Sequence, residues 1–402
     1  MDAIKLVAIF ALIIVLIKIK KTLSFSIFCG AIATSILYNV GFIKTINVTF
    51  KSITSWSTIS ILLIFYMITF LQRMLEKRGH LDLAQKSLNG LFNNRRINAS
   101  IASFFIGLLP SAGAVFICGS MVDSACGDYL TREEKTFVTS YYRHIPESFM
   151  PTYTTIILGT QLSGIPVSSF IIAMIPVVLF LFVLGYLFYL RKIPKETGQE
   201  KSASRSKDLL NLILSLWTIA LTIILILVFN LPVYTATLIS IVLSIFINKF
   251  KFKELKPMFI SAFEYKIMTS SIVVMIFKDI ITATGVIETL PGMFQKLPIP
   301  TPIVFALIFF FGTIISGATA MVALCLPLAL AAIPNGGLPL MVLLMSISYA
   351  AMQISPTHIC LTLVVEYFKT SMVDLLKRTT PVISTFCVFV IGYYLLLNFW
   401  FY

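Results

Sequence analysis

The chain has 402 residues, 58% of them hydrophobic and 12% charged, with a mean hydropathy of +0.95. No soluble domain of this length needs so much apolar surface, and several windows reach the ~18–20 residues that span a bilayer. The net charge of +14 would point to nucleic acid only if the basic residues clustered on a soluble face; they sit instead in short loops between apolar windows, where they set orientation. In chain order the windows predict spans over Ala3–Ile19, Ser24–Phe42, Ile53–Leu75, Phe137–Leu162, Val167–Leu190, Leu209–Phe229, Val233–Ile247, Met268–Thr284, Leu340–Val365 and Pro381–Trp400. Ala3–Ile19 lacks a small-residue cleavage signal and many spans follow it, so it reads as a retained helix and not a signal peptide. The six cysteines, Cys29, Cys118, Cys126, Cys325, Cys360 and Cys387, lie in or beside apolar segments, with neither metal-ligand spacing nor a disulfide framework.

Two further windows, Ala99–Cys126 and Thr301–Ile333, are each interrupted, the first at Pro110 and Gly113, the second at Ser316-Gly317. Each is too long for one plain span and too short for two crossings with a loop. A re-entrant hairpin is expected in each; one long kinked helix is the alternative. The interruptions belong to a repeat. Ser111 of Leu109-Pro110-Ser111-Ala112-Gly113 lies 205 positions before Ser316 of Ile314-Ile315-Ser316-Gly317-Ala318. Gly107 and Gly312, Pro151-Thr152 and Pro356-Thr357, and Pro176-Val177 and Pro381-Val382 share that offset, and Gly79 precedes Gly285 by 206. Gly, Pro and Ser are the residues that interrupt membrane helices, and interrupted segments at matching positions point to a secondary transporter.

With both hairpins re-entrant, each half has five crossings, and an odd number inserts the second half upside down. Loop charge supports this topology. The basic residues of 18–21, 73–96, 132–135, 191–207, 249–256 and 369–378 fall on one side, against Lys5, Lys44, Lys51 and Lys296 on the other. The expected protein is an all-α, multi-pass protein of the cytoplasmic (inner) membrane, with about ten transmembrane helices and both termini extracytoplasmic. Its first inverted repeat is 1–205: scaffold spans 1–78, interfacial helix 80–96, hairpin 98–127 and transport spans 131–191. The second is 206–402: scaffold spans 208–285, interfacial segment 286–299, hairpin 301–334 and transport spans 337–402.

Hairpin tips gather unpaired N–H groups and helix-dipole ends, and small residues let a ligand approach. Ser111, Ala112 and Gly113 offer this in the first half; Ser316, Gly317, Ala318 and Thr319 offer it in the second. The same residues also serve plain helix packing. After the Thr131-Arg132-Glu133-Glu134 capping box, Arg143 lies about 18 Å into its helix, where an ionisable residue is a functional candidate by default. Arg143 and Glu147 share a face, so a structural ion pair is one reading. Their equivalents 205 on are Ser348 and Met352, and a pair required by the fold would appear twice, which favours a specific role. Arg143 could bind an oxyanion bidentately, while His144 or Glu147 carries a coupling proton. In Gln353-Ile354-Ser355-Pro356-Thr357-His358 the proline frees a carbonyl beside two hydroxyls, as Pro151 does near Thr152. Such groups coordinate Na⁺ or simply satisfy a kink; Ser111, Ser316, Ser355 and Thr357 are the Na⁺ candidates.

Leu109-Pro110-Ser111-Ala112-Gly113-Ala114, Tyr142-Arg143-His144-Ile145-Pro146-Glu147 and Ser355-Pro356-Thr357-His358-Ile359-Cys360 with Glu366-Tyr367-Phe368 carry a resemblance over nearly the whole chain. The chain resembles the ion transporter superfamily of inverted-repeat permeases, which includes citrate, gluconate, dicarboxylate and arsenite carriers. Within it, the chain is most similar to the uncharacterised prokaryotic membrane proteins called domain of unknown function 401. The resemblance implies a scaffold domain, an elevator-like transport domain and a homodimer. Dicarboxylate members place Ser-Asn-Thr at each tip; the tips here lack the Asn, so the resemblance does not extend to that substrate.

The expected function is secondary active transport of a small anionic organic solute, coupled to Na⁺ or H⁺, with no cofactor and no nucleic-acid partner. Ser111, Ala112, Gly113, Arg143, Ser316, Gly317 and Thr319 would contact substrate; His144, Glu147, Thr152, Ser355, Thr357 and His358 would handle the coupling ion. The alternative is a Na⁺/H⁺ antiporter using His144, Glu147 and His358. An intramembrane enzyme is the distant alternative: the sequence holds no His-Glu-x-x-His and no Gly-x-Ser-x-Gly, and three histidines without an acid cluster do not spell a metal site.

Overall fold

A computed structural model describes residues 2–80, 83–84, 87, 91, 94–108, 114–196, 204–294, 298–355 and 358–401. Among the described residues the chain is helical, with no strand. The first half comprises α1 (Asp2–Lys18), α2 (Leu23–Leu37), α3 (Phe42–Thr54) and α4 (Trp56–Lys77), then α5 (95–107, with a π-helical turn at Asn98–Ala102) and α6 (Ala114–Cys126). It closes with α7 (Arg132–His144), α8 (Thr154–Ser163) and α9 (Val167–Phe188). The second half comprises α10 (Arg205–Leu227), α11 (Val233–Ile247), α12 (Phe252–Ser261), α13 (Tyr265–Ala283) and a short α14 (Leu290–Phe294). After them come α15 (Thr301–Ser316), α16 (Ala318–Ala332), α17 (Gly337–Met352), α18 (Ile359–Phe368) and α19 (Met372–Phe401).

Helix ends follow local chemistry. Thr22 caps α2 and Ser55 caps α4 with side-chain oxygens, and Thr131 with Glu134 forms the expected capping box on α7. Left-handed residues turn the chain at Lys20 and Asn230, Asn39 and Lys249, Gly79 and Gly285, and Gly164 and Lys369. The members of these pairs lie 210, 210, 206 and 205 apart, so the turn recurs even where one half has glycine and the other lysine. Packing recurs too. α2 packs on α13 and its counterpart α11 on α4; α8 packs on α16 and its counterpart α18 on α6. Exchanging the halves leaves these pairings unchanged.

Each expected hairpin folds back on itself. Ala102 and Ile106 of α5 cluster with Cys118 and Met121 of α6, while the tip, Ser111, Ala112 and Gly113 included, lies outside the described residues. In the second hairpin the chain reverses at Gly317 (φ 87°, ψ 155°), a backbone conformation open to glycine. Most of the amphipathic stretch 80–96 lies outside the described residues.

The structure differs from the sequence reading in two ways. Phe42–Thr54 and Phe252–Ser261 are helices, not loops, and α12 meets α13 at a 47° bend. Their lysines and short length hid them from span-sized averaging, although Phe42, Ile43, Ile46 and Phe50 form an exposed apolar set on α3. Second, Phe137–Leu162 and Leu340–Val365, each read as one span with a proline kink or unwound segment, are each divided into two helices. The first breaks between His144 and Thr154, where Pro146 and Pro151 lack N–H donors; the second breaks between Met352 and Ile359. Among the described residues four helices, α4, α9, α10 and α19, are each long and apolar enough to cross a membrane, or five if α12–α13 is one bent span. The chain is thus a multi-pass membrane protein. In their apolar windows α9, α10 and α19 bury only 33%, 28% and 28%, against 56% for α4, which places those three at the periphery and α4 inside.

Candidate functional site

The site forms where the α7–α8 break meets the N-terminus of α18. The last turn of α7 holds Tyr141, Tyr142, Arg143 and His144, all buried. A 3₁₀ turn, Ile145–Ser148, started by Pro146, brings Glu147 back beside them. Arg143 Nη1 donates to Glu147 Oε1 at 3.3 Å, with the two side chains only 2% and 11% exposed. Burial without a partner would cost either charge several kcal/mol, and each is the other's compensating charge. Gly107 lets α5 approach closely: a Cβ there would collide with the carbonyl of Arg143. The Tyr153 hydroxyl donates to the Gly107 carbonyl and ties the break to the first hairpin.

His144 is fully buried, and its Nδ1 lies 2.6 Å from the Ser140 carbonyl oxygen. A carbonyl only accepts, so Nδ1 carries a proton and neutral His144 presents a bare Nε2. That atom stands 3.0 Å from His358 Nε2, which therefore donates, the rings meeting edge-on with centroids 4.9 Å apart. His144 Nε2 is also 3.8 Å from Glu147 Oε1. Cys360, two residues beyond His358, completes a cluster in which one ligand atom each from His144, His358 and Cys360 lies within 4.8 Å of the others. Sequence spacing concealed this set, because the two histidines are 214 residues apart.

A cavity of about 380 Å³ opens beside the cluster. Glu147, Tyr153 and His358 form part of its wall; Ser316, Gly317 and Thr319 of the second hairpin form another part, with Ser355 also lining it. Thr155 Oγ1 and Thr319 Oγ1 are 3.1 Å apart and bridge α8 to the hairpin. The hydroxyls of Ser316 and Ser355 donate to the carbonyls of Gly312 (2.8 Å) and Ile314 (3.0 Å). The first turn of a helix leaves its N–H groups without intrahelical acceptors, and Ala318, Thr319 and Ala320 of α16 stand at the cavity.

Of the residues predicted from sequence, Glu147, Ser316, Gly317, Thr319, Ser355 and His358 thus share one cavity. Arg143 and His144 lie behind Glu147 and His358 rather than in the lining. Thr152 is elsewhere, at an apolar gap of about 30 Å³ with Ile68, Leu71 and Ile219. Ser111, Ala112, Gly113 and Thr357 lie outside the described residues. Tyr153, Thr155 and Cys360 escaped sequence reasoning. The repeat held the signal for them, since Tyr153 maps to His358 and Thr155 to Cys360 at 205.

The fold and site define an all-helical, multi-pass membrane protein with a polar cavity between a broken helix and a helical hairpin. The chain belongs to the family described as Protein of unknown function (DUF401), which matches residues 3–396. The resemblance carried by the Pro110, Arg143 and Pro356 motifs is borne out at the level of that family. No curated protein matches the chain. Among solved structures the chain is similar to the Alcanivorax borkumensis YdaH transporter, at 12% identity and a TM-score of 0.48, over 88% of this chain and 87% of that one.

Proposed function

We propose that the protein is a secondary active transporter that carries a small organic anion together with a proton. The observation that carries this reading is the Arg143–Glu147 pair, buried, with only the carboxylate residue at the cavity wall. With Glu147 ionised the pair is neutral. A proton on Glu147 leaves Arg143 uncompensated beside the cavity, and an anion there restores neutrality. The empty carrier and the fully loaded carrier are then both neutral, whereas either half-loaded form buries a net charge in a low dielectric. Anion and proton binding reinforce each other, by the ~1–3 kcal/mol common for coupled sites. The N-terminal turn of α16 supplies N–H donors for the anion. His358 and His144 supply a proton path to Glu147 through their 3.0 Å contact.

In this reading the ten spans, including helices shorter than a bilayer is thick, form two inverted repeats in the cytoplasmic membrane, with both termini outside. Helices α1–α4 and α10–α13 make the scaffold and the dimer contact. The hairpins and broken helices move against them like an elevator. A thermal-shift screen of purified protein against carboxylates and oxyanions, with and without Na⁺, tests the proposal. An anion should stabilise the wild type more as pH falls, and should stabilise Glu147→Gln equally at every pH. Stabilisation that requires Na⁺ and ignores pH would refute proton coupling. A Na⁺/H⁺ antiporter is the second reading, favoured by the hydroxyls of Ser316 and Ser355 in the cavity wall. It requires Na⁺ alone to dissipate a pH gradient across proteoliposomes.

A further inference from the structure

The geometry points to a binding site for one divalent transition-metal ion of the zinc class, held by His144 Nε2, His358 Nε2 and Cys360 Sγ. Two imidazoles and a thiol are a borderline-to-soft donor set, which favours Zn²⁺ or Co²⁺ over Na⁺, Mg²⁺ or Ca²⁺. The three ligand atoms already lie within 4.8 Å of one another. Tetrahedral zinc with ordinary bond lengths would space two nitrogens by ~3.3 Å and a nitrogen and sulfur by ~3.6 Å. The histidine pair, at 3.0 Å, therefore needs to open by only a few tenths of an ångström.

Three further features fit a metal. His144 is oriented by its Nδ1–H bond to the Ser140 carbonyl at 2.6 Å. That outer bond fixes ligating histidines in metal sites and leaves Nε2 free. Glu147 Oε1, 3.8 Å from His144 Nε2, is in reach of the fourth position. His358 lines the cavity, which gives an ion a route to the buried His144.

On binding, the Cys360 S–H bond gives way to a sulfur–metal bond and the thiol proton leaves to water. His358 moves its proton from Nε2 to Nδ1; His144 needs no such change. The thiolate offsets one of the two charges of the metal, and the Glu147 carboxylate would be shared between the metal and Arg143.

Titration of the purified full-length protein with Co²⁺ tests this, and its readout is independent of transport. One equivalent should bind, giving a near-ultraviolet thiolate-to-cobalt band and the strong visible bands of tetrahedral Co²⁺, both removed by Zn²⁺. Cys360→Ser should abolish the thiolate band, and His358→Ala should weaken Co²⁺ binding by at least about tenfold, the lower range seen even for loss of outer partners. If Cys360→Ser does not fold, the wild-type spectrum and His144→Gln, expected to lose the same affinity, decide the matter. A wild type without the thiolate band overturns the site. So does a band that survives Cys360→Ser, or one that disappears instead in Cys118→Ser, the other buried thiol close to Arg143.

Discussion

At the α7–α8 break, Arg143, His144 and Glu147 form a buried, charged cluster. At the α17–α18 break, the positions 205 further on hold Ser348, Tyr349 and Met352. The backbone interruption occurs in both halves, but the charges occur in one. In the second half the hairpin arm is held to the broken helix by a neutral bond, Thr313 Oγ1 to Ser348 Oγ at 2.9 Å. The fold therefore does not require an ion pair at this position. What the first half adds beyond the fold is chemistry.

The largest effect expected from this contrast is on stability. Arg143→Met strands the Glu147 carboxylate and should cost about 3–5 kcal/mol of unfolding free energy, with most of it recovered in Arg143→Met/Glu147→Met. Ser348→Ala, at the matching position, removes one neutral hydrogen bond and should cost about 1 kcal/mol. Denaturant unfolding in detergent measures both, and equal losses would mean that the pair is not the buried, mutually dependent unit described here.

A smaller difference separates two glycines at the same offset. A Cβ on Gly107 would collide with the backbone carbonyl of Arg143, which cannot step aside, whereas one on Gly312 would meet the flexible end of Met321. Gly107→Ala should cost about 1–3 kcal/mol and Gly312→Ala less than about 1 kcal/mol. Similar melting temperatures for the two variants would contradict the close approach of α5 to α7.

The smallest effect is in pH dependence. His80 follows the left-handed Gly79 as Val286 follows Gly285, so only the first half carries an imidazole there. Burial holds the His80 pKa below the ordinary histidine range and the nearby Arg78 adds to this, while the hydrogen bond to the Ser215 carbonyl opposes both. A folded-state pKa below the unfolded value means that the native state prefers the neutral ring. Its contribution is complete above the unfolded pKa, about 6.5, and is lost as pH falls through the folded value. His80→Gln should flatten the fall in melting temperature below about pH 6.5, while Val286→Ala should leave that slope unchanged. An identical acid slope in wild type and His80→Gln would remove His80 from the account.

Much of the architecture was legible because it depends on short stretches of chain. The Thr131–Glu134 capping box, the reversal at Gly317 and the breaks near Pro151 and Pro356 all follow from what Thr, Gly and Pro do to their immediate neighbours. Helices α3 and α12 were missed because a span-sized average dilutes a short amphipathic helix. The candidate site was partly legible: Glu147, Ser316, Thr319, Ser355 and His358 were named and do share a cavity. Thr152 was named on the repeat alone, and it lines the apolar gap beside Ile68, Leu71 and Ile219 instead.

The sequence by itself determined that this is an apolar, all-helical chain with a repeat near 205 residues and interruptions at matching places. Apolar length, proline and glycine act locally and need no partner to take effect. Only the tertiary structure decided that His144 meets His358 across 214 residues, that Cys360 joins them, and that Arg143 faces Glu147 instead of the cavity. Those contacts depend on α18 packing against α6 and α7, and on α8 packing against α16. Which faces meet is set by the packing of whole helices, and no spacing within one segment encodes it.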